Sequence, residues 1–268
     1  MTEPLRLWSV TSLTKIGLGT SESLVNWAVG QTAAAAVRSR RTVASMIEEQ
    51  GESAAIEWLK RVRYQTSGEA KMRGSEIHAA AEQLALGAEP EITPANRPYV
   101  DQYRRFLAEH RPRFLMAEAP VYNPTHGYAG TCDGVLELDG RALVFDIKTT
   151  PHGPGSDKMR PPYPEAALQV TAYRRAELVG VISEQRYSGG RRYYLFDPDV
   201  PHEPMPATEG AVVIVVSPED YLVVPTRTTD EIFEAFLDVC AAARWQVHTS
   251  RDVFGPPITP PRRLEAVG

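Results

Sequence analysis

The stretch GTCDGVLELDGRALVFDIKTT, residues 130–150, sets three ionisable side chains, Asp133, Asp146 and Lys148, among apolar neighbours. Asp139-Gly140 between two β-rich runs is the strongest short-range signal for a two-residue type I′ hairpin, because both residues tolerate positive φ. If Leu138 pairs with Arg141, Asp133 falls opposite Asp146. Directly opposed residues hold their Cβ atoms about 4.5–5.5 Å apart on one face, where two carboxylates repel each other. A hard divalent cation with oxygen ligands offsets that repulsion. Lys148 lies two positions beyond Asp146 and alternation sends it to the same face, while Phe145 and Ile147 point to the other. Two acids, a cation and a lysine that positions or deprotonates a water make up a hydrolytic site.

An acid-x-Lys triplet alone is weak evidence, and the chain contains its own control. Glu69-Ala70-Lys71 has the same pattern in a helical or loop context, where residues two apart share no face. The Asp146-Ile147-Lys148 triplet differs in having a strand, a hairpin and an opposed aspartate. Its competing reading is a solvated Asp-Lys pair on an exposed sheet face, but LVFDIK reads as an interior strand.

The elements that must position these residues follow from periodicity. Residues 9–112 read as mostly helical: SESLVNWAVGQTAAAAVRSRR places Leu24, Trp27, Ala28 and Val37 at helical intervals, and SAAIEWLKRVR and GSEIHAAAEQLALG continue the pattern. PANRPYVDQYRRFLAEHRP adds a helix opened and closed by proline. From Phe114, short β-branched runs alternate with turn signals: FLMAEAPVYN, the two hairpin arms, GAVVIVVS and YLVVPTR. Helices PEAALQVTAYRRAELVG and TTDEIFEAFLDVCAAARWQVHTS lie among and after them. The expected fold is α/β, one mixed sheet packed by helices within a single domain over 1–268, with a sheet core at about 113–250. Segments 151–164 and 183–209 read as loops, and 254–268 as a flexible tail.

Composition narrows the function without choosing it. With 268 residues, 43% of them hydrophobic, the chain is large enough to bury a substantial core. No apolar run reaches the roughly 18–20 residues of a membrane span, and the N-terminus lacks a basic segment followed by an apolar one, so a cytoplasmic protein without a membrane partner is expected. Cys132 and Cys240 are too few for a disulfide framework or a four-thiolate site and read as small buried hydrophobes. A net charge of −5 argues against whole-surface attraction to nucleic acid but is compatible with a local basic groove.

Taken in order, GSEIH, GYAGTCDG, DIK and QVTAY resemble the PD-(D/E)xK nuclease superfamily, and within it the RecB-like exonuclease branch, over about residues 70–175. The resemblance implies a restriction-endonuclease-like central sheet. It implies His78, Asp133, Asp146 and the Ile147 carbonyl as ligands of Mg²⁺ or Mn²⁺, and Lys148 as catalytic with Asp133 and Asp146. An imidazole among the ligands favours manganese somewhat. Gln169 and Tyr173, four apart on one helix face, would contact phosphate or base, followed by Arg174 and Arg175. Glu118 and Glu82 would reach the site through water or serve the structure. CRISPR-associated relatives hold an iron-sulfur cluster on four cysteines; with two, no such cluster is expected here.

The activity so implied is metal-dependent hydrolysis of DNA phosphodiester bonds, acting on single- or double-stranded ends in recombination, repair or phage DNA processing, with a recombination or replication protein as a further partner. Exonuclease action comes from the resemblance; the residues themselves are equally compatible with endonuclease action. A non-catalytic DNA-binding or assembly subunit of the same fold is the alternative, and a small-phosphoester hydrolase a further one. The basic clusters Arg38, Arg40 and Arg41; Lys60, Arg61 and Arg63; and Arg191 and Arg192 are solvated faces or backbone contacts. SGGRRYY in the 183–209 segment mixes arginines with aromatics, which suits closure over a single strand.

Overall fold

The computed structural model describes residues 4–151, 162–180, 184–189 and 191–256. Most of the 151–164 segment and most of the tail from 254 lie outside them. Strand β1 (Leu5–Ser9) opens the chain, followed by helices α1 (Val10–Gly17), α2 (Glu22–Arg38), α3 (Arg40–Gln50), α4 (Glu52–Ala85) and α5 (Arg97–His110). Then come strands β2 (Arg113–Asn123), β3 (Tyr128–Leu138) and β4 (Arg141–Thr149), helix α6 (Pro164–Arg174), and strands β5 (Leu178–Val179), β6 (Glu184–Ser188), β7 (Arg191–Phe196), β8 (Glu203–Pro204), β9 (Gly210–Val216) and β10 (Tyr221–Thr226). Helix α7 (Asp230–Arg244) and a π-helical turn at Trp245–Thr249 close the described fold. Among the described residues, no helix is long and apolar enough to cross a membrane.

The result is a mixed sheet flanked by helices, in the order β10-β9-β4-β3-β1-β7-β6, with β2 on the other edge of β3 and β5 and β8 beyond it. β4 is interior as LVFDIK predicts: it runs antiparallel to β3 and parallel to β9, pairing Asp146 with Val213 and Lys148 with Val215. Helices cover both faces. Beneath α1, α6 and α7 lie Leu13, Val135, Val144, Val170, Phe236 and Cys240. On the α4 and α5 side lie Ile77, Tyr103, Phe106, Phe145, Ile147 and Ile214. Both cysteines are free and buried.

Three departures from the sequence reading have physical causes. The 183–209 segment is not a loop throughout, since β6 and β7 form a hairpin there and β8 pairs with β5. Its arginines and glycines masked a two-residue periodicity, while partner strands supplied the pairing. β1, unpredicted, is short and gains its stability from β7 and β3 rather than from its own pattern. The two helical patterns on either side of residue 64 join into α4, 34 residues and therefore about 50 Å long. Its C-terminal part joins the sheet core through Ile77, Ala80 and Ala81, and α4 also packs with α2 and α3. Leu24, Trp27 and Val37 are helical as expected yet exposed.

Candidate active site

The site forms where β3 and β4 part. The hairpin has the expected register, Leu138 with Arg141 through Gly134 with Phe145, and Asp139 and Gly140 take the positive φ values, 50° and 75°, of its turn. Asp133 would be the next rung opposite Asp146. Instead the ladder ends, and the Ile147 N–H donates to the Asp133 carboxylate Oδ2 at 2.7 Å, so a side chain replaces a backbone acceptor. In an extended strand the N–H and C=O of one residue leave on the same side, so the Ile147 carbonyl opens toward the same gap.

The break has a visible origin. The pairing of β2 with β3 shifts register between Phe114 and Met116, Glu118 adopts a left-handed φ of 42°, and Gly134 has φ 152°. A non-glycine residue held at positive φ inside a strand is strained, and such strain collects at functional sites. The irregularity carries Glu118 to Asp133, and His78 descends on both from α4. Its Nδ1 lies 3.2 Å from Asp133 Oδ2 and 3.5 Å from Glu118 Oε1. The ligand atoms of these three residues all lie within 4.8 Å of one another. Glu82, one turn beyond His78, lines the same small concavity.

Asp146 sits beside this cluster, facing α6. It is 1% exposed, and its two oxygens lie 2.9 and 2.8 Å from Lys148 Nζ, but only Oδ1 makes an aligned hydrogen bond; Oδ2 is buried without one. Lys148 also donates to Gln169 Oε1 at 3.1 Å, and Gln169 Nε2 donates to the Tyr173 hydroxyl at 3.3 Å. Tyr173 is buried against Gly130, where a Cβ would lie 2.5 Å from its ring. The glycine of GYAGTCDG thus makes room for the tyrosine that orients the glutamine that holds the lysine. α6 brings Gln169 and Tyr173 to the acids and carries Arg174 and Arg175 away, toward the hairpin turn. Arg174 donates to the Thr208 and Thr228 carbonyls, and Arg175 pairs with Asp230 and covers the Phe233 ring. Both line a separate concavity with Leu138 and Asp139.

The electrostatics are those of crowded acids. Burial opposes charge on His78, but the Asp133 and Glu118 carboxylates outweigh it, with Asp146 adding to them, and push its pKa up to about 10. Burial raises Asp146 to about 6 against the pull of Lys148, with Asp133 adding to the rise. Burial likewise raises Glu118, partly countered by His78. The surrounding carboxylates thus favour a proton on the His78 imidazole.

All three groups titrate higher in the folded chain than in the unfolded one, so each contributes stability that is present at low pH and lost as pH rises. For His78 that loss runs from its ordinary 6.5 toward about 10. The melting midpoint in EDTA is therefore expected to fall from about pH 6.5 upward toward pH 10, and any gain from added Mn²⁺ to grow over the same interval, because a bound cation would take the proton's place. A metal-free midpoint that is flat or rises across that range contradicts this account.

Sequence reasoning gave Glu118 only an accessory place, because alternation cannot foresee a register shift. The Tyr103 hydroxyl is buried with no hydrogen-bond partner among the described residues, and the Asp133 charge adds to the burial that raises its pKa; nothing in its helical context marks it.

No family model matches the chain, and no curated protein matches it. A solved structure described as "Crystal structure of SSO0001" aligns over 90% of this chain and 76% of that chain, with a TM-score of 0.33 and 9% identity. A likeness of that strength carries no argument about fold or activity.

Proposed function

We propose that the chain is a metal-dependent deoxyribonuclease with a restriction-endonuclease-like core. The observation that carries this reading is the meeting, at one break between two strands, of an imidazole and two carboxylates with a buried aspartate-lysine pair. The donor set fits a hard divalent cation. Separations of 3.2 and 3.5 Å between the His78 and carboxylate atoms approach the roughly 3 Å edge of an octahedron with bonds of about 2.1 Å.

His78, Glu118 and Asp133 would hold the ion, and Asp146 and the Ile147 carbonyl would be further oxygen donors. A cation there supplies Lewis-acid polarisation of a phosphoryl oxygen and a lowered water pKa. The chain's own residues do the rest. Lys148, fixed between Asp146 and Gln169, orients a water toward phosphorus and donates to the phosphoryl oxygen as negative charge builds there. Tyr173 keeps Gln169 from turning away. The strained Glu118 backbone and the Ile147–Asp133 hydrogen bond hold two carboxylates in place before substrate arrives, which lowers the cost of reorganisation during the reaction.

The test is hydrolysis of linear, circular, single- and double-stranded DNA with Mg²⁺, Mn²⁺ or EDTA. Metal-dependent release of nucleotides or nicked product is expected, and linear against circular substrates separate exonuclease from endonuclease action. Failure to hydrolyse any of these DNAs with either metal overturns the reading.

A further inference from the structure

The β6–β7 hairpin gathers cations and aromatic rings at the sheet's outer edge. Arg192 pairs across the strands with Tyr187; its Nε donates to the Tyr187 hydroxyl at 2.9 Å, and its guanidinium lies 5.5 Å from that ring's centroid. Arg191 Nε donates to the Tyr193 hydroxyl at 3.0 Å, and Arg191 stands 5.9 Å from the centre of Trp8. Neither arginine pairs with a carboxylate among the described residues, unlike Arg104, Arg105, Arg113, Arg141 and Arg175. In a chain of net charge −5, these two arginines, on opposite faces of β7, bring positive charge to the sheet edge. Tyr187 is 67% exposed, on the outermost strand.

Tyr194 lies two positions beyond Arg192 on β7 and so on the same face. Its hydroxyl meets Thr131 Oγ1 at 3.1 Å, and Thr131 is two residues before Asp133 on β3. The hairpin face that carries Tyr187 and Arg192 is therefore the one that meets β3.

We propose that this hairpin is the landing surface for single-stranded DNA, with Tyr187 stacking a base and Arg192, on the same face of the hairpin, contacting the backbone. The choice of DNA rests on the nuclease reading. The preference for single strands does not: an exposed ring held beside guanidinium groups recognises bases whose faces are free, whereas a duplex has already stacked its own.

The experiment is fluorescence anisotropy of labelled oligo-dT, about 15 nucleotides long, titrated with the full chain in EDTA over a salt series, beside a blunt duplex. Tyr187→Ala and Arg192→Ala are each expected to weaken oligo-dT binding about tenfold or more, while Tyr187→Phe, which keeps the ring, binds within about threefold of the parent. Arg192→Ala should also reduce the slope of log affinity against log salt by about 0.7. Both alanine variants remove exposed contacts, and unchanged melting midpoints confirm that they fold. The proposal is overturned if both bind oligo-dT like the parent, or if duplex binding falls by the same factor. Because EDTA prevents turnover, the two readings fail separately: a chain that hydrolyses DNA but ignores these substitutions loses only this proposal, and one that binds strands through the hairpin but hydrolyses nothing loses only the nuclease reading.

Discussion

Lys148→Ala and Asp133→Asn are each expected to reduce DNA hydrolysis by on the order of 10³-fold or more, yet to do so for different reasons that one pair of measurements separates. Asparagine keeps an oxygen to accept the Ile147 N–H, so the strand junction survives, but it removes the charge that His78 and a cation share. Mn²⁺ binding measured by calorimetry should fall together with activity. Lys148 is not a ligand, so Lys148→Ala should retain metal binding and lose turnover. That variant also strands the buried Asp146 carboxylate. Its stability is expected to drop by about 2 kcal/mol, less than a fully buried pair would lose, because the Lys148 side chain is 38% exposed. Activity that persists in both variants would place the chemistry elsewhere or in a contaminant.

Gly134→Ala is expected to damage fold and site together. A Cβ at this position would lie 2.2 Å from the Met116 carbonyl oxygen and 2.6 Å from the Phe145 ring, and the backbone φ of 152° is one that side chains other than glycine's rarely adopt. Backbone oxygen cannot move aside as a flexible side chain can. The combined overpacking and strain should cost about 3 kcal/mol or more, which for a chain of this size lowers the melting midpoint by about 10 °C. Because Gly134 adjoins Asp133, metal affinity should fall as well. By contrast, Gly140→Asn, in a turn with open space around the added atom, should cost little, since asparagine tolerates positive φ. Equal stability of the parent and Gly134→Ala would show that the junction relaxes freely, and the case for a preorganised Asp133 would go with it.

How far the site could be read in advance differs from residue to residue. The Asp139-Gly140 turn and the register down to Gly134–Phe145 were readable because a two-residue loop leaves one pairing. The control triplet Glu69-Ala70-Lys71 does fall within helix α4. Asp146 and Lys148 do share a face and touch, as alternation demands. Asp133 was read as simply facing Asp146, and there local pattern was not enough. A bulge depends on which neighbouring strand is displaced, and β2 lies on the far side of β3 from β4, outside any hairpin argument. Glu118 was undervalued for the same reason.

The amino-acid order on its own determined the mixed α/β class, the interior position of β4, the burial of both cysteines and the presence of an acid pair with a lysine nearby. Each of these follows from interactions between residues close in the chain: side-chain period, turn chemistry and apolar content. What only the tertiary structure decided is which groups converge. His78 from a long helix, Glu118 from a strained strand and Asp133 from the end of a ladder come from segments whose separation along the chain carries no distance information. Arg192 and Tyr187, five residues apart, differ: their contact is local to one hairpin, and the local composition had concealed its strand pairing. Convergence is set by packing across the sheet, where the cost of bringing acids together is met by interactions that no single segment contains.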